Sequence, residues 1–294
     1  MAQPNDSNRR DPLDPQWLER MYNNRMRVPE HGEYFARWAA QSALARKLLT
    51  CELDVRYGPA PRERLDAFAA PRSAGGAAAL VVFIHGGYWK ALDKSDHSFI
   101  AAALHDAGAA VVVPNYTLCP QASIPEITLQ LARAMAWAWR NARRLGADPR
   151  RIAVIGHSAG GQLAAMMLAC AWKVLDPALP RDLVQRAMGL SGLYDLQPLM
   201  HTPSLQEALR LTPAQVQAAS PARLPPPARG RFVALVGGEE SGEYLRLNRL
   251  IRQRWGRERV PLAAVLPGLN HFSIVDALAT PGQRVHRLAR ELLR

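Results

Sequence analysis

Arg151-Ile152-Ala153-Val154-Ile155-Gly156-His157-Ser158-Ala159-Gly160-Gly161 decides the architecture of this chain. An apolar run rich in Val and Ile stops at Gly-x-Ser-x-Gly, and an Ala- and Met-rich helical segment follows at once. A strand, a sharp turn and a helix in that order are the context of a nucleophile elbow, which lifts a serine hydroxyl to the top of a parallel sheet. Gly156 and Gly160 are expected to be steric necessities, because a Cβ at either place would strike the neighbouring strand or helix. The helix that opens at Ala159 aims its first N–H groups at the space above Ser158, where an oxyanion would form.

Working outward, apolar runs alternate with amphipathic stretches. Glu52–Tyr57 and Arg64–Phe68 flank Gly58-Pro59 and read as an antiparallel hairpin. Ala78–Ile84, Ala109–Val113, Arg151–Ile155, Ala187–Leu190, Phe232–Val236 and Leu262–Leu266 read as buried strands. Helices are expected over 15–49, 95–107, 125–145, 159–172 and 281–293, with Gly108 and Gly146 as stops. Strands alternating with helices imply βαβ units and a mostly parallel sheet of about eight strands with helices on both faces. Residues 1–50 are read as a polar leader (Met1 to Pro15) running into a helical cap, and 51–294 as the main domain. Within it, 196–230 is expected to form short helices inserted over the sheet like a lid.

Composition excludes several classes. At 294 residues and 48% hydrophobic, the chain can bury one large core. It has no apolar run of membrane-spanning length, and its N-terminus has no hydrophobic signal region. Three widely spaced cysteines, Cys51, Cys119 and Cys170, offer neither a metal spacing nor a disulfide framework, so a soluble cytoplasmic protein without metal or cofactor is expected. The net charge of +12 comes from arginine, since only Lys47, Lys90, Lys94 and Lys173 are lysines. The arginines are scattered over polar helix faces, as at Arg133, Arg140, Arg143 and Arg144, with no interleaved aromatics. That pattern is a solvated surface which could steer a small anion. The partners expected are a small-molecule substrate and at most a second copy of the chain, with neither nucleic acid nor membrane.

Two further motifs join Ser158. His85-Gly86-Gly87-Tyr88-Trp89 follows the strand ending at Ile84. Consecutive glycines let a backbone approach a substrate and turn N–H groups inward, so Gly86 and Gly87, with the N–H of Ala159, are the candidate oxyanion donors. Of eight histidines, His271 alone sits in a post-strand loop after both Ser158 and an acid, which makes it the candidate base. His85 and His157 are expected to hold loop shape, and His286 to lie at the surface. The acid should fall between Ser158 and His271 in chain order. The strand 232–236 ends in Gly237-Gly238-Glu239-Glu240-Ser241, and either glutamate could orient the imidazole. Asp276 is a rival, expected to face away on the next helix, and Asp195 reads as a loop cap.

The set His85-Gly86-Gly87-Tyr88-Trp89, Gly156-His157-Ser158-Ala159-Gly160-Gly161, Ser191-Gly192-Leu193-Tyr194-Asp195-Leu196 and Asn270-His271-Phe272 resembles the arylformamidase (kynurenine formamidase) branch of the α/β-hydrolases, relatives of hormone-sensitive-lipase-like esterases. Tyr22-Asn23-Asn24-Arg25 and Asp54-Val55-Arg56-Tyr57-Gly58 are similar to the family's N-terminal pattern. The resemblance implies an α/β-hydrolase fold and selects Glu240 as the acid, directly before Ser241 and followed by Glu243-Tyr244. Glutamate stands here where many members have aspartate, which keeps Glu239 in view. The implied reaction is hydrolysis of N-formyl-L-kynurenine to formate and L-kynurenine, a step of tryptophan catabolism. A general short-chain carboxylesterase is the alternative, and a catalytically silent binding protein of the same fold the third. Tyr88 and Trp89 would wall the acyl side and admit formyl or acetyl, or else Trp89 is core and Tyr88 packs under the lid. Tyr116, Tyr194 and Phe272 could add aromatic surface for an aryl leaving group.

Overall fold

Eight strands form one sheet among the described residues of this computed structural model, which are 13–72 and 78–294. The strands are β1 (Cys51–Arg56), β2 (Arg64–Phe68), β3 (Ala78–Ile84), β4 (Ala110–Pro114), β5 (Ala147–His157), β6 (Arg186–Leu190), β7 (Arg231–Gly237) and β8 (Leu262–Leu266). Their spatial order is β1-β2-β4-β3-β5-β6-β7-β8. β2 runs antiparallel to β1 and β4, and every pairing from β4 to β8 is parallel. The hairpin and the parallel run thus form as the residue patterns predict. The polar leader expected before Pro15 falls almost wholly outside the described residues.

The central strands are continuous apolar runs because both faces of a parallel sheet are covered. Leu80, Val82 and Ile84 of β3 point into one core layer, and Val81 and Phe83 into the other. The covering helices are α1 (Pro15–Tyr22), α2 (Asn24–Arg27), α3 (His31–Leu48), α4 (Ser98–Asp106), α5 (Ile124–Asn141), α6 (Ala159–Ala169), α7 (Trp172–Leu175), α8 (Pro203–Leu209), α9 (Pro213–Ala219), α10 (Gly242–Arg259), α11 (Ser273–Ala279) and α12 (Arg284–Leu292). None of them is long and apolar enough to cross a membrane. The first layer carries α5, α6 and α10, and the second α3, α4, α11 and α12. A capping box of Ser123 and Glu126 starts α5.

Three expectations need revision. The helical stretch 15–49 is broken into α1, α2 and α3, because Asn23 caps α2 through its side chain and Pro29 interrupts the chain again. The reading of the sequence omits α10, whose stripe of Tyr244, Leu247, Ile251 and Trp255 at helical spacing is masked by the intervening arginines. His286 is buried rather than superficial, on the inner face of α12. The segment 196–230 does consist of short helices, α8 and α9 with flanking 3₁₀ turns.

Candidate active site

β5 delivers Ser158 to the carboxyl end of the sheet, and α6 starts at the next residue. Ser158 takes φ +55° and ψ −117°, a conformation that costs on the order of 1–3 kcal/mol for a non-glycine residue. Its own N–H is held by Leu190 O at 2.8 Å. A Cβ on Gly156 would lie 1.9 Å from Gly160 O, and one on Gly160 would lie 2.0 Å from Ile84 O. Both contacts are with backbone, so neither position can carry a side chain without moving a strand or the helix.

The loop after β3 is shaped from the core side. His85 donates through Nδ1 to Gly86 O at 2.8 Å, and the buried Tyr116 hydroxyl donates to His85 O at 3.0 Å. The two rings stack at 4.5 Å. Gly87 has φ +101°, and a Cβ there would fall 2.2 Å from Ala91 O. Among the described residues no acceptor takes the Gly87 N–H, and Ala159, at the first position of α6, has no intrahelical acceptor for its own. These unpaired donors suit an oxyanion. Gly86 lies deeper, packed against His157 and Ser158.

His271 follows β8, and its Nδ1 lies 2.7 Å from Glu240 Oε2. The other carboxylate oxygen, Oε1, accepts from Gly237 N at 2.8 Å and from the Ser191 hydroxyl. Glu240 is buried, whereas Glu239 is exposed. His157 donates through Nε2 to the backbone carbonyl of His271 at 2.8 Å and so fixes the His271 loop. Burial pushes His85 down to about 3 and His157 well below the usual imidazole range, the latter helped by its neighbour His271. Both rings are therefore neutral at pH 7 and serve as scaffolding.

Ser158, His271, Gly87, Tyr88 and Phe272 line one cavity of about 340 Å³, towards the small end of the range for small-molecule sites. Its far wall is N-terminal: Tyr22, Asn24, Phe35 and Trp38. Asp276 holds that wall down, accepting from Trp38 Nε1 and Arg37 Nη2 at 2.6 Å each. It is a docking residue for α3 on α11, not an acid for His271. Asp195 caps Gln197 N and pairs with Arg223.

Three expected pocket residues lie elsewhere. Trp89 is fully buried beneath the loop, with Nε1 donating to Gln162 Oε1 at 3.1 Å. Tyr116 sits under the oxyanion loop as described. Tyr194 packs edge-on against Phe232, where the small Gly189 and Gly192 leave room for its ring. Trp89 and Tyr194 follow glycines and Tyr116 follows the end of β4; at each of these positions the ring turns into the core.

A network the sequence reading missed joins the N-terminal helices to the site. Tyr244 lies 4.8 Å, centroid to centroid, from the His271 ring. Its hydroxyl accepts from Asn24 Nδ2 at 2.8 Å and meets the Tyr88 hydroxyl at 2.6 Å. Tyr88 in turn donates to Tyr22 O, and the Tyr22 hydroxyl donates to Glu243 Oε2 at 2.7 Å. The available signal was the pair Tyr22-Asn23-Asn24-Arg25 and Glu243-Tyr244, visible as pattern without any indication that the two meet.

Residues 81–231, just over half of the 294, match the α/β-hydrolase fold family. Kynurenine formamidase of Danio rerio is 34% identical over 179 residues, covering 61% of this chain and 58% of that enzyme. The match thus spans less than two thirds of that relative's length. Kynurenine formamidase of Salmo salar is 28% identical over 258 residues, 85% of this chain and 84% of that enzyme. Esterase LipQ of Mycobacterium tuberculosis is 34% identical over 152 residues, 49% of this chain and 35% of that protein. A crystal structure of a candidate thioesterase from Silicibacter sp. TM1040 superposes with a TM-score of 0.81 at 29% identity, over 94% of this chain and 98% of that one.

Proposed function

This chain belongs to the α/β-hydrolase fold family, and we propose that it is a serine hydrolase that removes small acyl groups from aryl leaving groups, N-formyl-L-kynurenine being the substrate that fits best. The observation that carries this reading is the shared cavity: Ser158 at a strained elbow, His271 backed by buried Glu240, and Gly87 with its free N–H all face one small aromatic chamber.

In this reaction Ser158 Oγ attacks the formyl carbon while His271 Nε2 takes its proton. The Gly87 and Ala159 N–H groups meet the oxyanion, and Glu240 stabilises the imidazolium through Nδ1. The imidazolium then protonates the aniline nitrogen, the C–N bond breaks, and L-kynurenine leaves a formyl ester on Ser158. Water, deprotonated by His271, attacks that ester, and formate departs as Ser158 regains its proton. An N-formyl aniline is an easier amide than most, because its nitrogen lone pair is shared with the ring.

Tyr88, fixed by its bonds to Tyr22 O and Tyr244, supports a preference for small acyl groups. The three free thiols, Cys51, Cys119 and Cys170, support a reducing, cytoplasmic location. A short-chain carboxylesterase is the second reading, favoured by the likeness to Esterase LipQ. Steady-state rates on N-formyl-L-kynurenine beside p-nitrophenyl acetate and butyrate test the proposal. It stands if the formamide is turned over with the higher kcat/KM, and it falls to the esterase reading if only the esters are.

A further inference from the structure

The cavity wall contains two cations, Arg25 and Lys90, and no aspartate or glutamate. Arg25, on α2, is exposed, and its guanidinium carbon lies 5.6 Å from the centroid of Phe35, another lining residue. Among the described residues it has no ion pair and no hydrogen bond, unlike Arg37, Arg223 and Arg246, which are paired with Asp276, Asp195 and Glu243. Lys90 spends one proton on Ser204 O at 2.9 Å and keeps two for another acceptor. The nearby acids are already committed. Glu19 accepts from the Ser204 hydroxyl and N–H and from Asn23, Glu243 is held by Arg246 and Tyr22, and Glu240 lies behind His271.

We propose that Arg25 and Lys90 form a carboxylate-binding subsite, so that the preferred substrate carries an anionic arm on its leaving group. The inference rests on Ser158 being the nucleophile, as proposed above. With the reacting carbonyl held at Ser158 and Gly87, a formyl or acetyl group uses little of the cavity. The rest of the molecule fills the remainder of the cavity, whose wall includes Arg25 and Lys90. A guanidinium with its face on an aromatic ring and its N–H edges free is preorganised for a carboxylate, and a charge-assisted bond there is among the stronger single contacts a ligand can make. The same charges would raise the encounter rate of an anionic substrate with a protein of net charge +12.

The test uses two esters that differ only in charge, 3-(3-acetoxyphenyl)propanoate and its primary amide. The readout is the ratio of their kcat/KM values in wild type, R25M, K90M, the double variant and R25K. Wild type should prefer the carboxylate by roughly 10-fold or more, mainly through KM, and 0.5 M salt should reduce that ratio. R25M and K90M should each lower it, the double variant should bring it near unity, and R25K should recover part of it. A wild-type ratio near unity, or one that survives in the double variant, overturns the proposal.

Calorimetric binding of the phenol products, 3-(3-hydroxyphenyl)propanoate and its amide, to S158A reads the same subsite without turnover. Equal affinities there also overturn it. If the ester pair shows the charge preference while N-formyl-L-kynurenine is untouched, the subsite stands and only the formamidase reading fails. If S158A turns over both esters at the wild-type rate, the nucleophile assignment fails instead.

Discussion

Ser191 donates its hydroxyl to Glu240 Oε1, so Glu240 meets His271 Nδ1 with its other oxygen, Oε2, at 2.7 Å. Glu240 cannot rotate to offer both oxygens to the imidazole, and His271 is held from one direction only. Ser191 reaches Glu240 from the end of β6, where it takes φ +54° and gives its N–H to Leu235 O. The acid's position is therefore set jointly by β6 and β7.

The triad assignment predicts a graded series. S158A and H271A should each lose roughly 10³-fold or more in kcat. E240Q should lose less than these but far more than E239Q, whose side chain is exposed. S191A should cost about 10-fold, the scale of one hydrogen bond to a charged group. Steady-state kinetics on one aryl ester ranks all five, and a larger loss in E239Q than in E240Q would reverse the assignment. A serine mechanism also predicts unchanged rates after incubation with EDTA.

Trp89 separates a pocket role from a core role. Its ring is fully buried and bonded to Gln162, so W89A should destabilise the fold by about 3–5 kcal/mol. W89F, which keeps the bulk and loses the indole donor, should cost less. Neither should move the acyl-chain preference of the folded fraction. Urea unfolding measures the first, and a p-nitrophenyl ester series the second. A shift toward longer chains in W89F would return the ring to the pocket.

Asp276 should matter for binding more than for chemistry. D276A releases both Arg37 and Trp38, loosening α3 at the cavity wall. KM for an aryl substrate is expected to rise several-fold while kcat falls less than twofold, and trypsin should cut within His31–Leu48 more readily. An unchanged KM would remove α3 from the substrate site.

Acid should destabilise the fold through its buried histidines. His85 is pushed down to about 3, and burial likewise lowers His97 and His157. Between that value and the unfolded imidazole's, about 6.5, the unfolded chain binds protons that the native chain refuses. Stability is then complete above about pH 6.5 and declines as pH falls, by up to about 1.4 kcal/mol per pH unit for each such ring. Urea midpoints from pH 7.5 to 4.5 should drop accordingly, and H157Q, which keeps a donor for His271 O, should drop less. A flat profile would mean that these rings are protonated in the fold.

The sheet and the elbow were legible because each is a local pattern: a continuous apolar run, a Gly-x-Ser-x-Gly, a helix stop. Ser158, Gly87 and His271 follow from such patterns plus chain order. The family resemblance pointed to Glu240 over Glu239; the residues alone left both open, because two adjacent glutamates do not reveal which is buried. The far wall of the cavity was illegible for a different reason. Asn24 meets Tyr244 across 220 positions and Trp38 meets Asp276 across 238, and no periodicity spans such separations. The aromatic rings misled in the opposite sense, since Trp89 and Tyr194 belong to motifs in sequence and Tyr116 follows β4, yet all three lie in the core.

Those same separations bear on how the protein is made. The helices that carry Asn24 and Trp38 are translated before α10 and α11, and at about 5–20 residues per second the partner of Trp38, 238 positions on, emerges some ten to fifty seconds later. During that interval Tyr22, Phe35 and Trp38 have no surface of α10 or α11 to cover them. The segment that walls the cavity in the finished molecule thus waits for its partners in the nascent one, with rings that a holding chaperone could grip. A circular permutant that moves residues 13–50 behind α12 would be made in the reverse order and should give more soluble protein wherever chaperones are limiting.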